Sequence, residues 1–305
     1  MENRIKNKWN ELLQKNYFPT YVRHIKKIEF SKFSKIINEI GEDTDKLIED
    51  VFFGDVLIVK NVFDRTKLMK LKEKIFEIEK KEKEKEFKMS YEIPNFHVSN
   101  NKNLYKIQTK NINYNETAHS HFFFRWNNDD LKIFDYFDKI WNLVKIFSGL
   151  NKDEFKKNKP KDKIIDRIQV LRYPLNRGKI TTHCDVSAWQ KLNIGICLYD
   201  FNKDFDEGGL YLIDKYEKKI NVENHVNIGD CVCWIPTIFH GVDTPKLKNK
   251  SCFEWSSSKG RWQAVALAIQ SNCVNERITS TGFENFKKNP EKYKKIYRDA
   301  FFKNF

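Results

Sequence analysis

Apolar positions in the first half of the chain recur at three- and four-residue steps, the spacing of one helix face. The step is legible around Trp9–Leu13, from Phe33 to Val51, and most fully from Leu131 to Leu150. In that last stretch Leu131, Ile133, Phe134, Phe137, Ile140, Leu143, Val144 and Phe147 fall on one broad face. Between these helices, the turn signal Gly54-Asp55 precedes the apolar run Val56-Leu57-Ile58-Val59, which predicts a strand over 54–60. Asp64 has the short acceptor side chain of an N-cap and opens a helix from Arg65 to about Lys88. The later half of that helix, from Glu77 on, alternates charge blocks and reads as a solvated face.

The pattern changes after a Lys-rich connector at 152–163 that contains Pro160. Short runs then predict strands at 166–173, 179–185, 191–199, 209–213, 219–222, 231–235 and 261–270, separated by Gly, Asn and Asp turns. Strands at this spacing form an antiparallel sandwich or barrel. The fold class is therefore α+β, with a helical N-terminal half packed on a β-rich C-terminal half. After Cys273 the composition returns to a Lys- and Phe-rich helical tail.

Composition narrows the picture by exclusion. No stretch of the 305 residues approaches the roughly 18 uninterrupted apolar positions of a membrane helix. The charged start Met1 to Lys8 is not followed by the apolar run of a secretory signal, which reads as a cytoplasmic protein. Lys plus Arg exceeds Asp plus Glu by 14, yet only ten of the 56 cations are Arg, the side chain best shaped for phosphate. The cations are scattered through a chain rich in Lys, Asn, Ile and Phe, as an A+T-rich genome writes, and this argues against a nucleic-acid partner. The six Cys form no CxxC pair, which excludes a disulfide or thiolate-metal framework as the first reading; Cys231 and Cys233 read as small buried residues.

Three features of the β-rich half carry chemistry. His183-Cys184-Asp185 lies at a strand end, so His183 and Asp185 project to one side and Cys184 to the other. A second imidazole, His240, follows a strand opened by Gly229-Asp230. Two imidazoles and one carboxylate on three corners of a metal form the facial triad of non-haem Fe(II) oxygenases, with the opposite face open for a cosubstrate and dioxygen. Arg261 then opens the strand Arg261-Trp262-Gln263-Ala264-Val265, and a guanidinium facing a barrel interior needs a carboxylate partner.

The ordered set of HCD at 183–185, EGGLYL at 207–212, IGDCVCWIP at 228–236, FHGV at 239–242 and an Arg-led strand resembles the Fe(II)- and 2-oxoglutarate-dependent dioxygenases. The prolyl-hydroxylase-like and phytanoyl-hydroxylase-like groups, with their HxD…H…R motif, are the most similar. The resemblance covers about residues 165–272 and does not extend to 1–150. It implies a double-stranded β-helix (jelly-roll, cupin-like) core at 151–275, N-terminal flanking helices at 1–150 and a helical tail at 276–305. It also implies Fe(II), 2-oxoglutarate and dioxygen as cofactor and cosubstrates. His183, Asp185 and His240 would be the catalytic metal ligands, Arg261 the partner of the distal 2-oxoglutarate carboxylate, Tyr173 a second donor to it, and Asn193 a contact at its other end. One departure is the gap of 21 residues between His240 and Arg261, where the family has about ten; Lys246–Ser251 and Ser256–Lys259 are read as a longer hairpin.

The implied activity is hydroxylation of an unactivated C–H bond of a small metabolite, with release of succinate and CO2. The positive balance leaves room for an anionic substrate. Because Asp185 is a carboxylate, no coordination position is left for a halide, which favours hydroxylation over halogenation. In Ala118-His119-Ser120-His121, two imidazoles share a face if the segment is extended, but no third ligand is nearby in sequence, which weighs against a second metal site. His121, Arg125, Arg172 and Trp189 are instead the candidate substrate contacts. Two alternatives stay open: a hydroxylase of a protein side chain or nucleic acid, and a non-oxidative cupin-like metal-binding protein.

Overall fold

The computed structural model describes residues 2–15, 17–81, 89–100, 114–185, 189–248, 255–275, 277 and 280–302. The N-terminal segment runs α1 (Glu2–Gln14), β1 (Ile25–Glu29), α2 (Phe30–Asn38), α3 (Glu42–Phe52), β2 (Val56–Lys60), α4 (Arg65–Lys81), β3 (Phe96–Asn100), β4 (Glu116–Phe124) and α5 (Ile133–Phe147). The single helix expected over 33–51 is two helices broken at Gly41. The Gly41 N–H donates to Thr44 Oγ1 (3.1 Å), and the Thr44 hydroxyl donates to the Ile36 carbonyl (2.7 Å), so one side chain ends α2 and starts α3. Asp64 caps α4 as expected, its Oδ1 accepting the Lys67 N–H at 2.9 Å. Residues 82–88 of that predicted helix lie outside the described residues.

Residues 1–150 are not a purely helical flank, because they supply four strands to the sheets. The sequence pattern misses β1, β3 and β4; β4 is buried along its whole length, yet Glu116-Thr117-Ala118-His119-Ser120-His121 shows neither the apolar run nor the alternation that marks a strand.

The second half runs β5 (Ile164–Pro174), β6 (Lys179–Asp185), β7 (Asn193–Cys197), β8 (Glu207–Ile213), β9 (Lys219–Asn221), β10 (Cys231–Trp234), β11 (His240–Lys246), β12 (Gly260–Gln270), β13 (Ser280–Gly282), α6 (Phe283–Lys288) and α7 (Pro290–Phe302). Strands β5, β7, β10 and β12 lie side by side in one sheet in the order β10-β7-β12-β5. Strands β6, β11, β8 and β9 form the facing sheet in that order. The chain thus passes back and forth between two antiparallel sheets, the winding of a double-stranded β-helix. Strand β2 extends the first sheet beyond β10, and β1 pairs parallel to β2. Strand β4 joins the two sheets, pairing β5 through 119–124 and β6 through 116–117.

The main core forms where Trp9, Phe52, Phe137 and Trp141 cover the outer face of the first sheet, against Ile168, Val170, Ala264 and Ala266. A smaller core seats the tail on the second sheet through Cys184, Tyr211, Phe239, Phe286 and Tyr297. Strands β5 and β12 pair over eleven residues, with Tyr173 opposite Arg261, Leu171 opposite Gln263 and Arg167 opposite Leu267. Residues directly opposite share a face, so this register sends the odd-numbered positions of both strands into the space between the sheets. No helix among the described residues is long and apolar enough to cross a membrane.

Candidate active site

Strand β6 ends and β11 begins at the same level, with His183 and His240 directly opposite in register. The His183 Nδ1 lies 2.8 Å from the Thr181 carbonyl and the His240 Nδ1 2.9 Å from the Ile238 carbonyl. A carbonyl only accepts, so each Nδ1 carries the proton and each Nε2 presents a lone pair. Both lone pairs point at one carboxylate, with His183 Nε2 3.6 Å from Asp185 Oδ1 and His240 Nε2 3.5 Å from Asp185 Oδ2. Asp185 is itself held on both oxygens, since Ser280 Oγ donates to Oδ1 (2.7 Å) and Asn193 Nδ2 donates to Oδ2 (2.8 Å). Burial, then the neighbouring His240, pushes His183 down to about 4, so it is a neutral imidazole near neutral pH. One ligand atom from each of the three residues lies within 4.8 Å of the others. Tautomers fixed by backbone carbonyls and a carboxylate fixed by two neutral donors are the outer contacts that ligands of a divalent metal carry, and this donor set fits Fe(II).

The triad opens into a cavity of about 160 Å³ between the sheets. Its wall from β5 and β12 presents Tyr173, Gln169, Arg167 and Gln263, and Glu116 and Arg277 enter from the joining strand and the tail. Burial raises Tyr173 well above its ordinary value, so it remains a neutral phenol. Burial raises Glu116 to about 7 against the pull of Arg167. Arg277 is pushed down to about 9 by burial and by the like charge of Arg167. The cavity therefore combines a metal-type donor set, uncharged donors and two guanidinium groups.

No protein-family model matches the chain, and no curated protein matches it. Solved structures do show similarity. One is a 2OG-Fe(II) oxygenase family protein. It comes from Caulobacter crescentus, is 15% identical, covers 88% of this chain and 99% of its own, and superposes with a TM-score of 0.48. A full-length protein of Neurospora crassa, solved in complex with alpha-KG, is 12% identical over 79% of this chain and 84% of its own, with a TM-score of 0.47. A prolyl-4-hydroxylase of Pseudomonas putida is 9% identical over 74% of this chain and 98% of its own, with a TM-score of 0.43. The assignment of a double-stranded β-helix rests on the strand orders β10-β7-β12-β5 and β6-β11-β8-β9 in the two facing sheets.

Of the residues proposed from sequence, His183, Asp185, His240, Tyr173 and Asn193 all line this one cavity. Arg261 is placed differently from expectation, because the carboxylate it was to take from a cosubstrate is supplied by the chain's own Glu223. Arg261 Nε donates to Glu223 Oε1 at 2.7 Å, the guanidinium lies over the Tyr199 ring, and both charged groups are fully buried. Arg261 Nη1 donates to Gln263 Oε1 at 2.5 Å, and Gln263 itself lines the cavity. Glu223 was not legible in sequence, where Gly208-Gly209 read only as a tight turn. It accepts the Leu210 N–H at 2.5 Å, and a Cβ on Gly209 (φ +90°) would collide with its carboxylate, which gives the second Gly of EGGLYL its reason.

The four proposed substrate contacts, His121, Arg125, Arg172 and Trp189, do not line the cavity, and this corrects the sequence reading. His121 pairs opposite Val170, and Arg172 opposite His119 and Trp262, so these side chains occupy the outer face of the first sheet. Arg125 is paired with Asp138 (2.6 Å) and Asp166 (2.7 Å) over the Phe134 ring. Trp189 packs edge-on against Phe155. The positions missed, Arg167 and Gln169, follow from the parity of β5 once Tyr173 is known to face inward. Glu116, Arg277 and Ser280 reach the cavity from elements with no pattern pointing there. The hairpin read between His240 and Arg261 lies in part outside the described residues.

Proposed function

We propose that this chain is an Fe(II)- and 2-oxoglutarate-dependent dioxygenase that hydroxylates an unactivated C–H bond of a small molecule. The single observation that carries the reading is the convergence of His183 Nε2, His240 Nε2 and the Asp185 carboxylate at the wall of a cavity between the sheets, with every other polar atom of the three residues already held. Three ligands leave the remaining metal positions to cosubstrate and dioxygen. When bound, the metal and 2-oxoglutarate supply the oxidising chemistry, and the protein supplies geometry and the exclusion of water.

Within that reading each side chain has a definite task. His183 and His240 enter as neutral donors whose tautomers the Thr181 and Ile238 carbonyls fix. Asn193 and Ser280 orient Asp185. Tyr173 and the Gln263 amide offer uncharged hydrogen bonds to a cosubstrate carboxylate, and Arg261 acts on it through Gln263. Arg167 and Arg277 place positive charge in the same cavity, which supports a substrate carrying an anionic group.

Anaerobic titration of metal-free protein with Fe(II) and then 2-oxoglutarate tests the proposal. A weak visible charge-transfer band is expected in the wild type and is lost in His183→Ala. A folded, iron-loaded protein that shows no band on addition of 2-oxoglutarate would place the chain among non-oxidative metal-binding barrels.

A further inference from the structure

On the opposite side of the first sheet from the cavity, three imidazoles and a carboxylate are buried together. His119 and His121 project outward from β4, His97 from the neighbouring β3, and Glu79 descends from α4. All three imidazoles are at most 4% exposed. The residues that were missing when His119 and His121 were read alone thus arrive from two other elements.

The separations match a metal site. His97 Nε2 lies 3.1 Å from His119 Nδ1, His119 Nδ1 lies 3.3 Å from Glu79 Oε1, and His121 Nε2 lies 3.6 Å from Glu79 Oε2. Four donors set tetrahedrally about 2.0–2.1 Å from zinc stand roughly 3.3 Å apart. Donor atoms of Glu79, His97 and His121 all fall within 4.8 Å of one another, and His119 reaches His97 and Glu79 without being part of that set. Among the described residues, neither ring nitrogen of His121 meets strict hydrogen-bond geometry, nor do His97 Nδ1 and His119 Nε2, although the Val170 backbone interacts with His121 and the Trp255 backbone with His119. An orphaned buried nitrogen costs about 1–3 kcal/mol, and an ion held by Glu79 would take the lone pair that His121 turns toward that carboxylate. Burial pushes His97 down to about 4 and His119 to about 2, so the rings are neutral, the form that binds metal.

Arg172 is the cation that faces the cluster. It bonds both oxygens of Glu79, and its Nη1 also donates to the Trp255 (2.9 Å) and Ser257 (2.6 Å) carbonyls. A carboxylate offers about four acceptor positions, so Glu79 retains one on each oxygen toward the imidazoles. The His97 ring stacks on His121 (4.5 Å) and on His119 (5.3 Å), and closing on one ion turns the rings about Cβ–Cγ, a broad torsion.

We infer that Glu79, His97 and His121, with His119 Nδ1 beside them, form a second divalent-metal site of the zinc class, which ties α4 to the outer face of β3 and β4. It is independent of the proposed activity, since it shares no residue with the triad.

Cobalt titration of the chelator-stripped full chain tests this, because cobalt absorbs strongly in four-coordinate sites and weakly in six-coordinate ones. The wild type is expected to take two equivalents. A His183→Ala/His240→Ala protein should take one, with the strong absorption, and zinc should displace it. Adding His121→Gln should remove that last equivalent; if that variant does not fold, Glu79→Gln and His97→Gln in the same background serve. Zinc should also raise the unfolding midpoint of the His183→Ala/His240→Ala protein. A folded His183→Ala/His240→Ala protein that takes no cobalt and shows no zinc-dependent midpoint overturns the site, as does one whose cobalt survives loss of His121 and Glu79. Loss of the 2-oxoglutarate band would bear only on the other face.

Discussion

Asp185 is the proposed metal ligand whose position depends most on its neighbours, since its two oxygens are set by Asn193 and Ser280 from different elements. Removing one such outer contact typically lowers metal affinity about 10- to 100-fold. Asn193→Ala is therefore expected to weaken Fe(II) or cobalt binding by that order while the far-ultraviolet circular dichroism stays unchanged. Affinity equal to wild type would show that Ser280 alone suffices. The Arg261–Glu223 pair gives the opposite kind of prediction, because it is fully buried and breaking it leaves an uncompensated charge. Glu223→Ala is expected to cost about 3–5 kcal/mol in denaturant unfolding, and Glu223→Ala combined with Arg261→Met to recover most of that loss. If the double variant is no more stable than the single one, the cost lies in packing against Tyr199 and Leu210 and not in the stranded guanidinium.

Among the described elements, β4 alone joins the two sheets, because it pairs with β3 and β5 and also reaches β6. A Pro within it removes a ladder bond in a fully buried strand. Ser120→Pro is expected to abolish folding, as read by loss of soluble monomer or of a cooperative unfolding transition. α1 is attached differently, through Ile5, Trp9 and Leu12, all fully buried, and Trp9 Nε1 also donates to the Phe147 carbonyl at 2.7 Å. Truncating a buried Trp costs about 3–5 kcal/mol, so Trp9→Ala should lower stability by that amount with the metal triad intact. A Trp9→Ala protein that also loses cobalt at the triad would mean that α1 supports the barrel itself. The helices of the first half were legible because each has one apolar face. β4 was not, because residues 116–121, though buried, show neither the apolar run nor the alternation on which strand reading depends.

For the whole molecule, burial of titratable groups sets an acid limit. His183 and His97 are held down to about 4 and His119 to about 2, against about 6.5 in an unfolded chain. Between these values the unfolded chain binds protons that the fold refuses, so this stability is present above about pH 6.5 and is lost as pH falls through about 4. Glu116, raised to about 7, acts in reverse and loses its contribution as pH rises from about 4.5 through 7. Five lowered imidazoles, His97, His119, His121, His183 and His225, stand against three raised carboxyls, Glu79, Glu116 and Asp166, so the urea midpoint of the metal-free protein is expected to fall from pH 6.5 to 4.5, with a shallower slope in His97→Gln. A flat or rising midpoint would mean that the imidazoles are not buried in their neutral form.

By itself the sequence determined the α+β class, most of the strands of the winding, and the triad, because a His and a carboxylate two apart on a strand must share a face wherever that strand lies. It also placed Tyr173 and Asn193 near the chemistry, through the resemblance that the ordered motifs carry. Only the tertiary structure decided what those motifs meet. Register across β5 and β12 sends Arg167 into the cavity and Arg172 out of it, although both are Arg on one strand. Glu223 satisfies Arg261 from 38 residues away, and Glu79 and His97 join His119 and His121 from separate elements. Local spacing fixes which side of an element a side chain takes, and the packing of one element on another fixes who is waiting there.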